Sequence, residues 1–227
     1  MEQLTQIRDR RTSVDVVFDH LYDEIVSLRL LPGTKISEAD IASRFGVSRQ
    51  PVRDAFSRLE NFDLLLIRPQ KATEVRRFST KAIEKSRFVR AAVEAEVLRR
   101  AARECDAEGE ARMQDNLRRQ RKLVDNGDYA SFGGLDYEFH RTLCEIGKVD
   151  FAFEVISAEK AKVDRLCMLS IAKEDRMPEL LEDHELIAAM IAKGEAEKAV
   201  EAGMVHLSRL DATIEAIYST NADYFDP

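Results

Sequence analysis

The chain has 227 residues, enough for one or two domains. Hydrophobic residues make up 44% and charged residues 34%, which excludes a disordered chain too poor in apolar residues to build a core. No stretch approaches the roughly 18–20 apolar residues of a membrane span, and residues 1–11 lack the apolar segment of a secretory signal.

In chain order, Val17, Leu21, Ile25 and Leu28 recur at helical spacing and predict a helix over 14–30. Pro32 and Gly33 then turn the chain. Ser37, with Asp40 three residues on, opens a second helix over 38–45, which Gly46 ends. Ser48 is the natural N-cap of a third helix reaching about residue 61, with Pro51 tolerated in its first turn. Two short apolar runs, 64–67 and 73–75, flank a polar tip and predict a small β-hairpin. From residue 80 the pattern is helical almost throughout, with helices expected near 80–104, 107–126, 128–147, 149–173, 177–194 and 195–219, and a polar, loosely held tail after 221. This predicts a mainly α protein. A winged helix-turn-helix with a small β-hairpin over 1–78 precedes an all-α antiparallel helical bundle over 79–227.

Charge follows the same division. Residues 1–78 hold 13 Lys and Arg against 12 Asp and Glu, a balance of +1, whereas residues 79–227 hold 22 against 30, a balance of −8. The overall charge of −7 argues against indiscriminate nucleic-acid binding, but two compact basic spots stand out. One is Arg44, Arg49, Arg53 and Arg58; the other is Arg68, Lys71, Arg76 and Arg77. Cys105, Cys144 and Cys167 are odd in number, widely spaced and without a CxxC pair, which fits reduced thiols in the cytoplasm.

Within the third helix, residues advance by about 100° each, so Arg49 and Arg53 stand about 40° apart and share a face with Gln50. That face is expected to point away from the apolar stripe of Val52, Ala55, Phe56 and Leu59. A recognition helix has this form: one side anchors in a core, and the N-terminal half presents donors to base edges in the major groove. Arg pairs bidentately with guanine O6 and N7, and the helix start at Ser48 suits a phosphate. Gln70 and Lys71 at the hairpin tip suit the neighbouring groove or a phosphate. Two arginines alone would read as solvated helix charges; the order helix, glycine turn, helix, hairpin favours DNA contact.

The stretch from Leu31 to Ala42 (LPGTKISEADIA), followed by Phe45 to Ala55 (FGVSRQPVRDA), resembles the GntR family of bacterial transcription regulators. The resemblance implies operator binding as a homodimer and places DNA contact on Arg49 and Arg53, supported by Ser48, Gln50, Gln70 and Lys71. This chain has Asn61-Phe62-Asp63 where the family usually turns on a small residue and glycine, and Ala72 where the wing often has glycine.

Four histidines occur: His20, His140, His184 and His206. His20 reads as surface or core filler. Asp136 and His140 are spaced i, i+4 and leave one helix face, while His184 and His206 lie among apolar residues of two later helices. Taken singly, each is more often a satisfied core histidine than a ligand. The second half, however, resembles the FCD effector domain of the FadR branch of GntR regulators. That resemblance implies a metal held by Asp136, His140, His184 and His206. Zinc is the first expectation, with nickel, manganese and iron also suited to imidazole and carboxylate. It also implies a small organic acid as effector, and positions for its carboxylate at Arg90 and Arg165. An ion pair of Arg90 with a helix glutamate competes with that role. The sequence alone leaves two other readings standing: a metal-dependent enzyme acting on a small carboxylic acid, and a metal-independent regulator.

Overall fold

The computed structural model describes residues 12–167, 169 and 173–226. The reading of residues 1–11 and the end of the helix predicted over 149–173 lie outside them. The chain forms two compact units, residues 1–78 with 223–227, and residues 79–222.

The first unit holds α1 (Ser13–Val26), β1 (Lys35–Ile36), α2 (Glu38–Phe45), α3 (Arg49–Asn61), β2 (Leu65–Leu66) and β3 (Thr73–Val75). Thr12 and Asp15 close a reciprocal capping box on α1. That helix stops short of its predicted end because Leu28 takes a left-handed conformation, φ 59°. Gly46 ends α2 at φ 64°, where a side chain would be strained. The expected two-stranded hairpin is a three-stranded antiparallel sheet in the order β1-β3-β2, with Lys35 opposite Glu74 and Leu65 opposite Val75. Two residues of β1 are too few to show a period in sequence. The substituted turn works without glycine: Asp63 itself adopts φ 61°, and Phe62 packs its ring 5.6 Å from that of Phe18. In the wing, Gln70 rather than residue 72 takes the left-handed position, φ 59°. Val17, Leu21, Ile25, Val52, Ala55, Phe56, Leu59, Leu65 and Val75 form the core.

The tail corrects two expectations, that it is loosely held and that it belongs with the helical part. Residues 223–226 pack in the first unit. Phe78 N–H donates to Tyr224 O at 2.8 Å, Asp226 N–H donates to Phe78 O at 2.7 Å, and the Phe78 and Phe225 rings lie 5.6 Å apart. Phe225 is buried, which is why a polar-looking tail is ordered.

The second unit holds α4 (Thr80–Glu104), α5 (Ala107–Asp125), α6 (Tyr129–Ile146), α7 (Ala152–Cys167), α8 (Lys173–Ala192), α9 (Ala196–Ser208) and α10 (Leu210–Thr220). The single helix predicted over 195–219 is thus two, broken at Arg209, with no glycine or proline to mark the break. Arg209 forks onto Asp183 through Nε and Nη2, both at 3.1 Å. Helix α8 starts before its expected boundary and carries Pro178 inside it. Helix α4 packs on α7, α9 and α6, while α8 packs on α9 and α5. Gly203 lies where α9 approaches α4, and a Cβ there would meet the end of the Leu98 side chain. The core runs through Val97, Leu98, Met113, Phe139, Leu143, Ile156, Ile187 and Ile191. None of the described helices is long and apolar enough to cross a membrane.

Candidate metal centre and DNA-reading face

Asp136 and His140 leave α6 one turn apart, His184 leaves α8 and His206 leaves α9. All four are buried, and each offers one ligand atom within 4.8 Å of the others. The Nε2 atoms of His140 and His184 are buried without a hydrogen-bond partner. Buried polar atoms are rarely left so unless something else satisfies them. Both lie close to Asp136 Oδ1, His184 Nε2 at 3.4 Å and His140 Nε2 at 3.9 Å.

The opposite edge of each ring is turned toward a polar group. His140 Nδ1 lies 3.1 Å from Glu94 Oε2, His184 Nδ1 lies 2.9 Å from Gln120 Oε1, and His206 Nδ1 faces Asp183 Oδ2 at 3.6 Å. In His140 and His184 an acceptor on Nδ1 takes the ring proton and leaves Nε2 as a lone-pair donor, the usual way protein orients a metal-binding imidazole, whereas His206 Nδ1 is itself buried without a hydrogen-bond partner. The chain continues outward. Gln120 Nε2 donates to Asn116 Oδ1 at 2.6 Å, and Asn116 Nδ2 donates to Leu135 O at 3.1 Å. Phe139 stacks on His184 with ring centroids 4.4 Å apart. Glu94, Asn116, Gln120 and Asp183 are absent from the sequence-level site; acids and amides on helices carry no local mark of facing inward.

Electrostatics favour a neutral ring at His184 and at His206. Burial pushes His184 down from its ordinary value of 6.5 to about 4, and lowers His206 as well. Burial resists ionisation of Asp136, but Lys160 and the neighbouring imidazoles overcome it and hold the carboxyl well below the usual range. Glu94 is likewise held at about 2: burial opposes its charge, and His140 and Arg90 outweigh it. A pH prediction follows from the depressed imidazoles. Between pH 6.5 and 4 the unfolded chain binds protons that the folded chain refuses, so stability falls as pH drops through that window. His184 alone accounts for about 2–3 kcal/mol. The melting temperature of chelator-treated protein is therefore expected to fall from pH 7 to pH 5, and a flat profile would contradict burial of neutral rings.

Of the two effector candidates, Arg90 is buried on α4 and bonds Glu94 through Nε at 2.8 Å, linking it to His140. This is the helix ion pair weighed against an effector role. Arg165 is also buried, on α7. Neither side chain reaches solvent freely. A cavity of about 130 Å³ lies along Arg87, Arg90, Ala91, Met204, Leu207, Ser208 and Leu210.

In the first unit, Ser48 stands at the N-cap of α3 without a side-chain cap bond. Arg49, Gln50 and Arg53 are exposed, whereas Val52, Ala55, Phe56 and Leu59 are buried. Gln50 Nε2 donates to Asp54 Oδ1 at 2.8 Å, and Arg53 pairs with Glu38 at 3.0 Å. Gln70 and Lys71 are exposed at the wing tip.

Helix-turn-helix, wing and helical bundle together have the architecture of a DNA-binding transcription regulator. Residues 14–75 match the gntR family of bacterial regulatory proteins, and residues 87–209 match the FCD domain. The chain is 31% identical to the HTH-type transcriptional repressor RspR of Escherichia coli (strain K12), over 97% of both chains. Among solved structures, E. coli McbR/YncC has the same fold with a TM-score of 0.68 and 18% identity, over 92% of this chain and 99% of that one. A GntR regulator from Rhodococcus sp. RHA1 gives a TM-score of 0.67 and 22% identity, over 89% and 97%. The chain belongs to the GntR family, in its FCD-bearing, FadR-like branch. It is a transcription regulator, and the enzyme reading is set aside.

Proposed function

We propose that this regulator is a cytoplasmic repressor which binds a pseudo-palindromic operator as a homodimer and responds to a small organic acid at a divalent metal, zinc first, in its helical domain. In this reading the domains are residues 1–78 for DNA and 79–227 for effector and dimerisation, with the ordered tail as the exception. The observation that carries it is the convergence of four ligand atoms from three helices, two of them imidazole nitrogens buried without partners. Asp136, His140, His184 and His206 would hold the ion, which supplies a Lewis-acidic anchor for a carboxylate. A closed structural zinc prefers thiolates and four ligands; three imidazoles and a carboxylate suit an ion that also takes an exogenous ligand.

Charge supports an anionic effector. Glu94 is already paired with Arg90, Asp136 with Lys160, and Asp183 with Arg209. A dication therefore enters a site whose carboxylates are compensated, and its charge favours an incoming anion in a buried setting. Arg90, next to this cluster, would bond one carboxylate oxygen on releasing part of its hold on Glu94; Arg165 is the second candidate. Ser48, Arg49, Gln50 and Arg53 would contact the operator, with Gln70 and Lys71 on the flanking groove or backbone. The relative named as a repressor supports that sign of control. Phe88 and Phe151, each 75% exposed, offer apolar surface that a second copy would cover. Effector control then works by population shift, limited to the effector's difference in affinity between operator-competent and incompetent dimers.

Metal analysis of untagged protein is expected to give one equivalent of divalent metal per chain. A thermal-shift screen of small organic acids is expected to show stabilisation that chelator abolishes. Protein without metal that still responds fully to an acid would replace this reading with the metal-independent one.

A further inference from the structure

Helix α7 supplies none of the four ligand atoms, yet it sends one charged side chain to the centre. Lys160 Nζ lies 2.9 Å from Asp136 Oδ2. On its other side it bonds Asp164 Oδ1 at 3.0 Å and Oδ2 at 2.9 Å, and it sits 4.5 Å from the centroid of the Tyr137 ring. Tyr137 O–H donates to Asp164 Oδ2 at 2.9 Å and fixes that carboxylate in turn. The Lys160 side chain is only 12% exposed. A buried ammonium persists only when fully partnered, and two carboxylates and an aromatic face partner this one.

The consequence is an asymmetry in Asp136. Its Oδ1 is the oxygen that faces the imidazoles, 3.4 Å from His184 Nε2 and 3.9 Å from His140 Nε2. Its Oδ2 is taken by Lys160. We propose that Lys160 is a positioning residue that restricts Asp136 to one-oxygen coordination and thereby keeps the metal open and electron-poor enough to take a carboxylate ligand. The proposal rests on the metal-and-acid reading above. An ammonium on Oδ2 draws charge from the carboxylate and prevents both oxygens from swinging onto one ion. It also adds a positive charge one carboxylate away from the anion's place. Lys160 thus opposes tight metal binding and favours the anion, a trade that a merely structural lysine would not make.

The test uses the full chain stripped with chelator, with Co²⁺ as the metal and acetate as the anion. Co²⁺ affinity is read by competition with a chromophoric chelator, and acetate binding by the change in the visible Co²⁺ spectrum. Lys160→Met removes the charge at similar length, and Lys160→Arg keeps it. In Lys160→Met, Co²⁺ is expected to bind about tenfold or more tighter and acetate about tenfold or more weaker than in the unaltered chain. Lys160→Arg is expected to recover acetate binding. Loss of packing alone would weaken both together. Acetate binding equal to that of the unaltered chain, or Co²⁺ affinity falling along with it, overturns the proposal. Should Lys160→Met not fold, Lys160→Gln loses the charge while retaining a donor for Oδ2, and the same two directions are expected. An unaltered chain that takes up no Co²⁺ removes the metal reading and this proposal with it. Uptake of Co²⁺ and acetate that is indifferent to residue 160 removes this proposal alone.

Discussion

Replacing His184 with alanine is expected to lower zinc affinity by more than a hundredfold and to abolish the rise in melting temperature that added zinc gives. His184 is fully buried, and its unpartnered Nε2 is one of the four converging atoms. It is also the ring most completely fixed in place, by Gln120 on Nδ1 and by Phe139 on its face. Gln120→Ala leaves the ligand but frees the ring, so a loss of about 10–100-fold is expected, the range typical of groups that orient a ligand. The order of the two effects separates ligand from orienting group. Metal-free His184→Ala is itself destabilised, by about 2–4 kcal/mol, because the substitution leaves a cavity and strips Gln120 Oε1 of its buried donor. For that reason the increment on adding zinc, rather than the absolute melting temperature, is the quantity to compare. His20→Ala, in the first unit, provides the comparison with a histidine outside the cluster and is expected to leave that increment intact. Zinc titrations in which His184→Ala binds as well as the unaltered chain would mean that the cluster is a packed imidazole core and nothing more.

How far the sequence reached depends on the distance over which each feature is encoded. Asp136 and His140 are visible because four residues of helix bring both side chains to one face. His184 and His206 stand among apolar residues such as Leu181, Ile187 and Ile191, but it is the resemblance to the FCD domain, not their spacing, that joins them to that pair as ligands. Helices α4, α5 and α6 were legible to within a residue or two, since long periodic stretches average over local noise. The groups that orient the rings were not legible. Gln120 meets His184 across 64 residues, and Arg209 meets Asp183 across 26. An amide or acid that turns inward to serve a ring looks the same in sequence as one that faces water. Lys160 is the sharpest case, because a lysine on a helix rich in Glu, Lys and Asp reads as solvated surface. The break between α9 and α10 carries no proline or glycine, and β1 is held by Glu74 and Thr73 across the sheet rather than by any run of its own.

Replacing Arg49 with alanine is expected to weaken operator binding by about 1–3 kcal/mol, the value of a bidentate contact to guanine. The residue projects, exposed, from the first turn of α3, and no carboxylate of the described residues holds it. Arg53 stands on the same face but is held by Glu38 at 3.0 Å. It must leave that carboxylate to reach a base, and the energy of leaving is subtracted from what the contact returns. Arg53→Ala is therefore expected to cost less than Arg49→Ala. The pairing also predicts an effect of the partner. Glu38→Gln releases Arg53 and removes a negative charge from the DNA-facing side, so binding to operator and to random DNA is expected to tighten together, with a salt dependence steeper by about one counterion. Fluorescence anisotropy with operator and scrambled duplexes over a series of salt concentrations measures all three. A loss in Arg49→Ala that is equal on both duplexes would reassign Arg49 from a base to a phosphate, and no loss on either would move the reading surface off the N-terminal half of α3.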